Sequence, residues 1–391
     1  MTIRKTKLFT VLAILFLLAQ GVYGQWLAGY LYRKKITIQA SQVPGSSNLT
    51  DFPVLIEITS TDLKQKGSGG GVANANGWDT RFTAADKITT LNHEIERYDA
   101  ATGTLTAWVR IPSLSPTTNT DIYLYFGNTS ISSDPSTSST WNSNYLGVWH
   151  LHDDFNDATA NNIDGTATGT TNSTGQIADG QNFNNGNPDY IDLGNSSVLN
   201  FGTENWTLSA WVNTSSTSGQ QNILGKGAEN YSFWFWTQND DGYFIGLNGQ
   251  NAFIEVFDGN NGKTATSVTN LSANIWYYIT GQKIGDYLQI YVNGSLESSV
   301  SGVINYDLSR VDKNPAYIGI GRYIDFFGGN NFPYRSFGGD IDEARIVHTA
   351  LSQEWIQTEY NNQSNPSAFY IAGSTEAVAR YAIKSGNWND P

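Results

Sequence analysis

Cysteine is absent from the 391 residues. That excludes disulfides, thiolate nucleophiles and Cys-ligated zinc. It leaves the compartment open, because exported proteins can also lack cysteine. Charge is scarce too: Asp, Glu, Lys and Arg make up 15% of the chain, against a usual share of about a quarter. Positive charge is the scarcer sign, with 22 Lys and Arg against 35 Asp and Glu, so the net charge is −13 and the pI is about 4.6. A polyphosphate partner is repelled by such a field, which excludes nucleic acid as a partner class. The acidic residues form no long runs and read as a solvated surface. Beyond the first twenty residues no apolar run is long enough to span a bilayer. The motifs GxxxxGK[ST], GxSxG and HExxH do not occur, and GxGxxG is missing from any strand–helix context.

The first residues indicate export. Arg4, Lys5 and Lys7 precede an apolar run from Leu8 to Ala19, and Val22-Tyr23-Gly24 follows. This is the pattern of a secretory signal peptide cut before Gln25, with an uncleaved anchor as the alternative. The mature protein is expected to be secreted or held at the outer cell surface, with no transmembrane segment after cleavage.

Turn formers and aromatics are plentiful. Glycine contributes 39 residues and aromatics 13%, which indicates many short strands joined by tight turns. Period-two alternation runs through RKKITIQA, FPVLIEIT, LTAWVRI and DIYLYFG between Tyr32 and Phe126. In FPVLIEIT, Val54, Ile56 and Ile58 share one face, with Leu55 and Glu57 on the other. The polar stretch 132–144 (SSDPSTSSTWNSN) reads as a linker. After it, WTLSAWV places Trp206, Leu208, Ala210 and Val212 on one face. YLQIYVNG turns Leu288, Ile290 and Val292 inward and ends in the hairpin signal Asn293-Gly294. One helix is expected, SQEWIQTEYNNQ, with Ser352 as N-cap and Glu354 in its first turn. The fold class is therefore all-β, sandwich or jelly roll.

A family resemblance attaches to particular blocks. GVWHL, IADGQNFNNGNPDYIDLG, NWTLSAWVNT, IWYYITGQKIGDYLQIYVNGSL, YIGIGR and FGGDIDEARIVHTALSQEWI come in order. The series resembles the laminin-G-like, concanavalin-A-like jelly roll of bacterial extracellular proteins. FPVLIEI, WDTRFTAADKITTLNHEIERYD, LTAWVRIPSL and DIYLYFGN are similar to a β-rich family of unknown function that often precedes such modules. The organisation expected is a signal peptide at 1–24, a β-sandwich domain at 25–131, the linker at 132–144 and a jelly roll at 145–371. Residues 372–391, ending SGNWNDP, resemble the opening of a further, truncated module.

Four groups of residues are candidates for function. His150 and His152, two apart in GVWHLHDD, share a strand face. A metal there needs a third ligand, which the resemblance does not supply, so structural or surface roles are expected. In GGDIDEARI, alternation points Asp340 and Asp342 one way and Glu343 the other. Glycoside hydrolases of the laminarinase type share the jelly roll and carry Glu-x-Asp-x-x-Glu on one strand. Retaining hydrolysis needs two carboxyls facing each other across about 5 Å, and with Arg345 in the place of the last Glu this strand does not provide them alone.

The resemblance also implies a rim calcium held by oxygen ligands. Asp189 and Asp342 are the expected ligands, with Asp340 and Asp192 in reserve; the alternative is that these residues cap turns or pair with Arg345. The loop RYIDFFGGNNFPYRSF carries Tyr323, Phe326, Phe327, Asn330, Tyr334 and Arg335. Rings beside amide and guanidinium donors suit the apolar faces and hydroxyl rims of sugars, and the alternative is that the rings form the loop's own small core. The expectation is a non-catalytic, secreted or cell-surface module that binds an extracellular glycan or surface protein. An accessory or catalytic part of a polysaccharide-degrading hydrolase and a structural spacer or adhesin segment are the other readings.

Overall fold

The computed structural model describes residues 26–378 apart from 187, 228, 231–240, 259–260, 310, 312–314 and 325–330. The signal-peptide segment and residues 379–391 lie outside the described residues. Two β-sandwiches follow one another. In the first, one sheet runs β25 (Tyr370–Ala377), β1 (Tyr32–Ile38), β6 (Thr120–Phe126) and β3 (Arg81–Thr83). It faces a sheet of β2 (Leu49–Thr59), β5 (Thr104–Leu114) and β4 (His93–Asp99). The alternating residues meet between the sheets: Ile36, Ile38, Val54, Ile56 and Ile58 join Leu105, Ala107, Val109, Ile122 and Leu124 in one buried core.

The second sandwich has a front sheet and a back sheet. The front sheet is ordered β20 (Ser295–Ser301), β19 (Tyr287–Val292), β18 (Tyr277–Ile284), β12 (Trp206–Thr214), β24 (Gly339–Val347), β10 (Asp179–Phe183) and β9 (Thr171–Thr174). In addition, β7 (Tyr145–Trp149) pairs with β24. The back sheet is β17 (Asn261–Thr266), β16 (Asn251–Asp258), β15 (Gly242–Asn248), β13 (Gln220–Gly227), β21 (Ala316–Ile318), β11 (Tyr190–Asp192) and β8 (Thr166–Thr168). Trp206, Leu208, Ala210 and Val212 enter its core together with Leu288, Ile290 and Val292, as their alternation requires. Asn293 and Gly294 both have positive φ, 50° and 77°. That geometry defines the two-residue hairpin turn between Val292 and Ser295. A small separate sheet holds β14 (Glu229–Asn230), β22 (Gly321–Ile324) and β23 (Asn331–Tyr334).

The end of the chain corrects the expected organisation. Helix α1 (Gln353–Ser364) begins where the sequence places it, with Ser352 Oγ accepting from Trp355 N at 3.2 Å. A short α2 (Pro366–Phe369) follows. Then β25 pairs along β1 of the first sandwich, Ile38 opposite Tyr370 and Tyr32 opposite Ala377. Residues 372–377 therefore pair with the leading domain, and 379–391, the rest of the stretch expected to open a further module, lie outside the described residues. Alternation alone cannot name the partner of a strand that returns more than three hundred residues later.

The two sandwiches share a third core. The outer face of β2 and β5 offers Leu55 and Trp108. Against them pack Tyr145, Val148 and Val347 from the front sheet, and Leu351 and Ile356 from α1 and its approach. Trp141, from the polar connecting stretch, is 4% exposed and joins this core, with its ring centroid 5.4 Å from that of Trp108. The stretch is held along β4: Thr137 N donates to His93 O and Ile95 N to Ser136 Oγ.

Candidate functional site

The front sheet of the second sandwich packs against the leading domain, and the outer face of the back sheet lies on the far side, with Asn222 and Phe253 buried on it. Tyr243, Ile245, Leu247, Ala252, Ile254 and Val256 point into the core. Their alternates on β15 and β16, including Gly246, Phe253 and Glu255, point outward. Register aligns Asn222, Gly246 and Phe253 in one row across β13, β15 and β16. Gly246 is required there: a Cβ would stand 2.7 Å from the Phe253 ring and 2.3 Å from the Gln221 carbonyl. Arg335 follows β23 with φ 52°. Its carbonyl accepts from Asn222 N at 2.7 Å. Its Nη1 donates to Glu255 Oε2 at 2.7 Å, and the guanidinium lies 5.7 Å from the Phe253 ring centroid. The Asn222 side chain is 1% exposed, and neither its Oδ1 nor its Nδ2 has a hydrogen-bond partner. A buried carboxamide without partners costs about 1–3 kcal/mol.

Of the residues expected to bind ligand, Arg335 is placed on this face. Tyr323 and Tyr334 fall on the β22–β23 hairpin, whose register pairs Tyr323 with Phe332 and Tyr334 with Gly321. Phe326, Phe327 and Asn330 lie outside the described residues. Sequence reasoning missed Asn222, Phe253 and Glu255. NAFIEVFD does alternate, so its outward Phe and Glu were available as a signal. Asn222 was not, because it is a single polar residue in a strand.

The four aspartates considered for calcium each hold a local element. Asp189 Oδ2 accepts from Asn184 N at 2.8 Å and closes the 184–189 loop. Asp192 Oδ1 accepts from Gly194 N, and Asp340 Oδ1 accepts from Asn182 Nδ2. Asp342 Oδ2 accepts from Ile177 N at 2.8 Å, and its Oδ1 is buried without a partner. Among the described residues, Asp189 and Asp342 do not share a cluster of three or more acidic or histidine side chains.

β24 also departs from simple alternation. Glu343 has φ 52°, and the pairing with β12 slips between Ser209 and Trp211. This β-bulge lets Ile341 and Ala344 both face the core. Glu343 therefore turns outward with Asp342 and Arg345, whereas alternation had placed it opposite Asp342. All three are fully buried against the leading domain.

An ionic cluster results at the domain boundary. Arg345 Nη2 donates to Glu343 Oε2 at 2.6 Å, and its guanidinium lies 4.4 Å and 5.0 Å from the ring centroids of Trp108 and Trp141. His150 leaves β7 into the same space. Its Nδ1 is 2.6 Å from Glu343 Oε1 and 3.7 Å from Glu96 Oε2, and its Nε2 is 3.5 Å from Glu94 Oε2. Trp108 Nε1 donates to Glu96 Oε2 and Trp141 Nε1 to Glu94 Oε2, both at 2.8 Å. Burial works against charge on His150, but Glu343 and Glu94 outweigh it and raise its pKa well above the usual value. Burial, reinforced by Glu343, pushes Glu96 up to about 8. The same two causes raise Asp342 well above the usual carboxylate range. Burial opposes charge on Glu343 as well, yet His150 and Arg345 hold it below that range. His152 does not join the cluster: β7 ends at Trp149, Leu151 has φ 61°, and His152 instead meets Asp153 and Asp179.

Residues 185–357 match the concanavalin A-like lectin/glucanases superfamily, whose family description carries the laminin G name. The second sandwich is a concanavalin A-like domain. Before it, residues 76–168 match DUF2341, a domain of unknown function. That match runs through β7, so it crosses the boundary where the concanavalin A-like domain meets its neighbour. No curated protein matches the chain. Among solved structures, one similar fold is domain 4 of AbnA, a GH43 extracellular arabinanase from Geobacillus stearothermophilus, solved in complex with arabinotriose. It is 17% identical, with TM-score 0.42, covering 55% of this chain and 96% of that one. The binding domain of Paraclostridial Mosquitocidal Protein 1 is 18% identical, with TM-score 0.42, covering 56% of this chain and 52% of that one. The botulinum neurotoxin serotype G binding domain is 15% identical, with TM-score 0.41, covering 55% and 50%. This chain thus spans about half the length of the two toxin domains. Among the described residues no helix is long and apolar enough to cross a membrane.

Proposed function

We propose that this chain is a non-catalytic recognition module of an exported protein, and that the back-sheet face of its concanavalin A-like domain binds an extracellular glycan. The observation that supports the reading is the Arg335–Glu255 pair, partly exposed on the back-sheet face where the β22–β23 hairpin ends. A sugar hydroxyl both donates and accepts, so it suits a guanidinium beside a carboxylate, and a sugar's CH face rests on an aromatic ring. The β22–β23 hairpin, rich in Tyr and Phe, leads directly into Arg335. The leading signal-like segment supports export.

The non-catalytic part rests on burial. Asp342 and Glu343, the carboxylates of the strand that resembles a laminarinase strand, are sealed under the leading domain, where a polysaccharide does not reach them. A glycan array probed with residues 25–391 is the test. Binding that Arg335→Ala and Glu255→Ala both abolish supports the assignment. Reducing-sugar release from plant or algal polysaccharide would replace it with a hydrolase, and silence across glycans and matrix proteins would leave a spacer.

A further inference from the structure

We propose that Glu96, His150 and Glu343 bind a divalent transition-metal ion of the zinc class, which ties the leading domain to the concanavalin A-like domain. One ligand atom from each of the three lies within 4.8 Å of the other two. Zinc holds nitrogen and oxygen ligands at about 2.0–2.2 Å, so tetrahedral neighbours stand roughly 3.3 Å apart. The His150 Nδ1 separations of 2.6 Å to Glu343 and 3.7 Å to Glu96 bracket that value.

The surroundings orient each ligand. Trp108 Nε1 donates to Glu96 Oε2, the oxygen nearer His150 Nδ1, and fixes the carboxyl group at the site. Arg345 holds Glu343 Oε2, which turns Oε1 to the imidazole. Glu94 stands at His150 Nε2, leaving Nδ1 as the inward ligand. A metal-bound histidine ordinarily gives its second ring N–H to such a carboxylate. Five carboxyl groups, Glu94, Glu96, Asp342, Glu343 and Glu359, crowd around one permanent cation, Arg345, and one imidazole. An imidazole nitrogen with carboxylate oxygens suits zinc better than calcium, which prefers oxygen alone. The cation takes the place of the proton shared by His150 and Glu343, and it adds a bond to Glu96 across the domain boundary.

The test refolds residues 25–391 from metal-free denaturant with Zn2+ or Co2+. The expected result is one equivalent of Zn2+ retained through gel filtration, a higher melting temperature than with chelator, and an X-ray absorption spectrum showing one imidazole among oxygen ligands. Glu96→Gln and His150→Gln should each weaken binding at least about 100-fold, while Asp189→Asn leaves it unchanged. Folded wild type that takes up no Zn2+ or Co2+ overturns the proposal, as does binding by both variants as tight as that of wild type. If the variants do not fold, the wild-type spectrum decides: no imidazole shell, no site.

Discussion

Asn362 of α1 and Leu55 of β2 exchange two hydrogen bonds. Leu55 N donates to Asn362 Oδ1 at 2.7 Å, and Asn362 Nδ2 donates to Leu55 O at 3.0 Å. β2 is the edge of its sheet. The side-chain amide thus satisfies one residue of that edge as a further strand would. Asn362→Ala leaves both backbone groups of Leu55 buried and unpaired, at a cost of about 3 kcal/mol. Urea unfolding measures it. Loss of less than a kcal/mol would mean the latch is not holding the edge.

Arg345 is held by Glu343 at 2.6 Å, with Glu359 at 3.5 Å from its Nη1. Arg345→Met strands a buried carboxylate and should destabilise the protein by about 3–5 kcal/mol. Adding Glu343→Gln should recover much of that loss, because the stranded charge is then gone. A double-mutant cycle in denaturant reads the recovery, and strict additivity of the two losses would contradict the pairing.

Asn222 is a buried amide without a partner. Asn222→Ala removes a carboxamide that has no protein partner, so its stability should hold or rise by about 1 kcal/mol. Glycan binding should persist in the same variant, because the carboxamide is buried. Calorimetry and a binding assay on one preparation check both. A marked loss of stability would show that the amide serves the fold.

His93 sets an acid limit. Burial lowers its pKa from 6.5 to about 4, and its Nε2 has no partner. The unfolded chain binds the proton first as pH falls, so stability declines through the window from 6.5 to about 4 and is unaffected above it. The full loss is on the order of 3 kcal/mol. His93→Phe, beside Phe82, should flatten that part of the stability–pH curve. An unchanged slope in the variant would assign it to other groups.

Period-two patterns made the strands legible. WTLSAWV and YLQIYVNG reached the core with the faces their alternation assigns, because each side chain on a pleated strand has only two directions. The capping Ser352 and the Asn293-Gly294 turn were equally local. Glu343 was not legible, because a bulge adds one residue and reverses every later assignment until pairing resumes. Trp141 was hidden in a polar stretch, and its burial depends on Trp108 waiting across the boundary.

The sequence by itself determined local matters: an all-β chain without disulfides, an acidic surface, two sandwich-like regions and one capped helix. These follow from side-chain period, turn chemistry and composition, which act over a few residues. Only the tertiary structure decided that β25 closes the leading domain, that Asn222 stands unpaired on the back sheet, and that Glu96 meets His150 and Glu343. Those relationships join residues from about fifty to more than three hundred positions apart. Long-range pairing is chosen by complementary surfaces competing in three dimensions, and no short stretch of chain carries that choice.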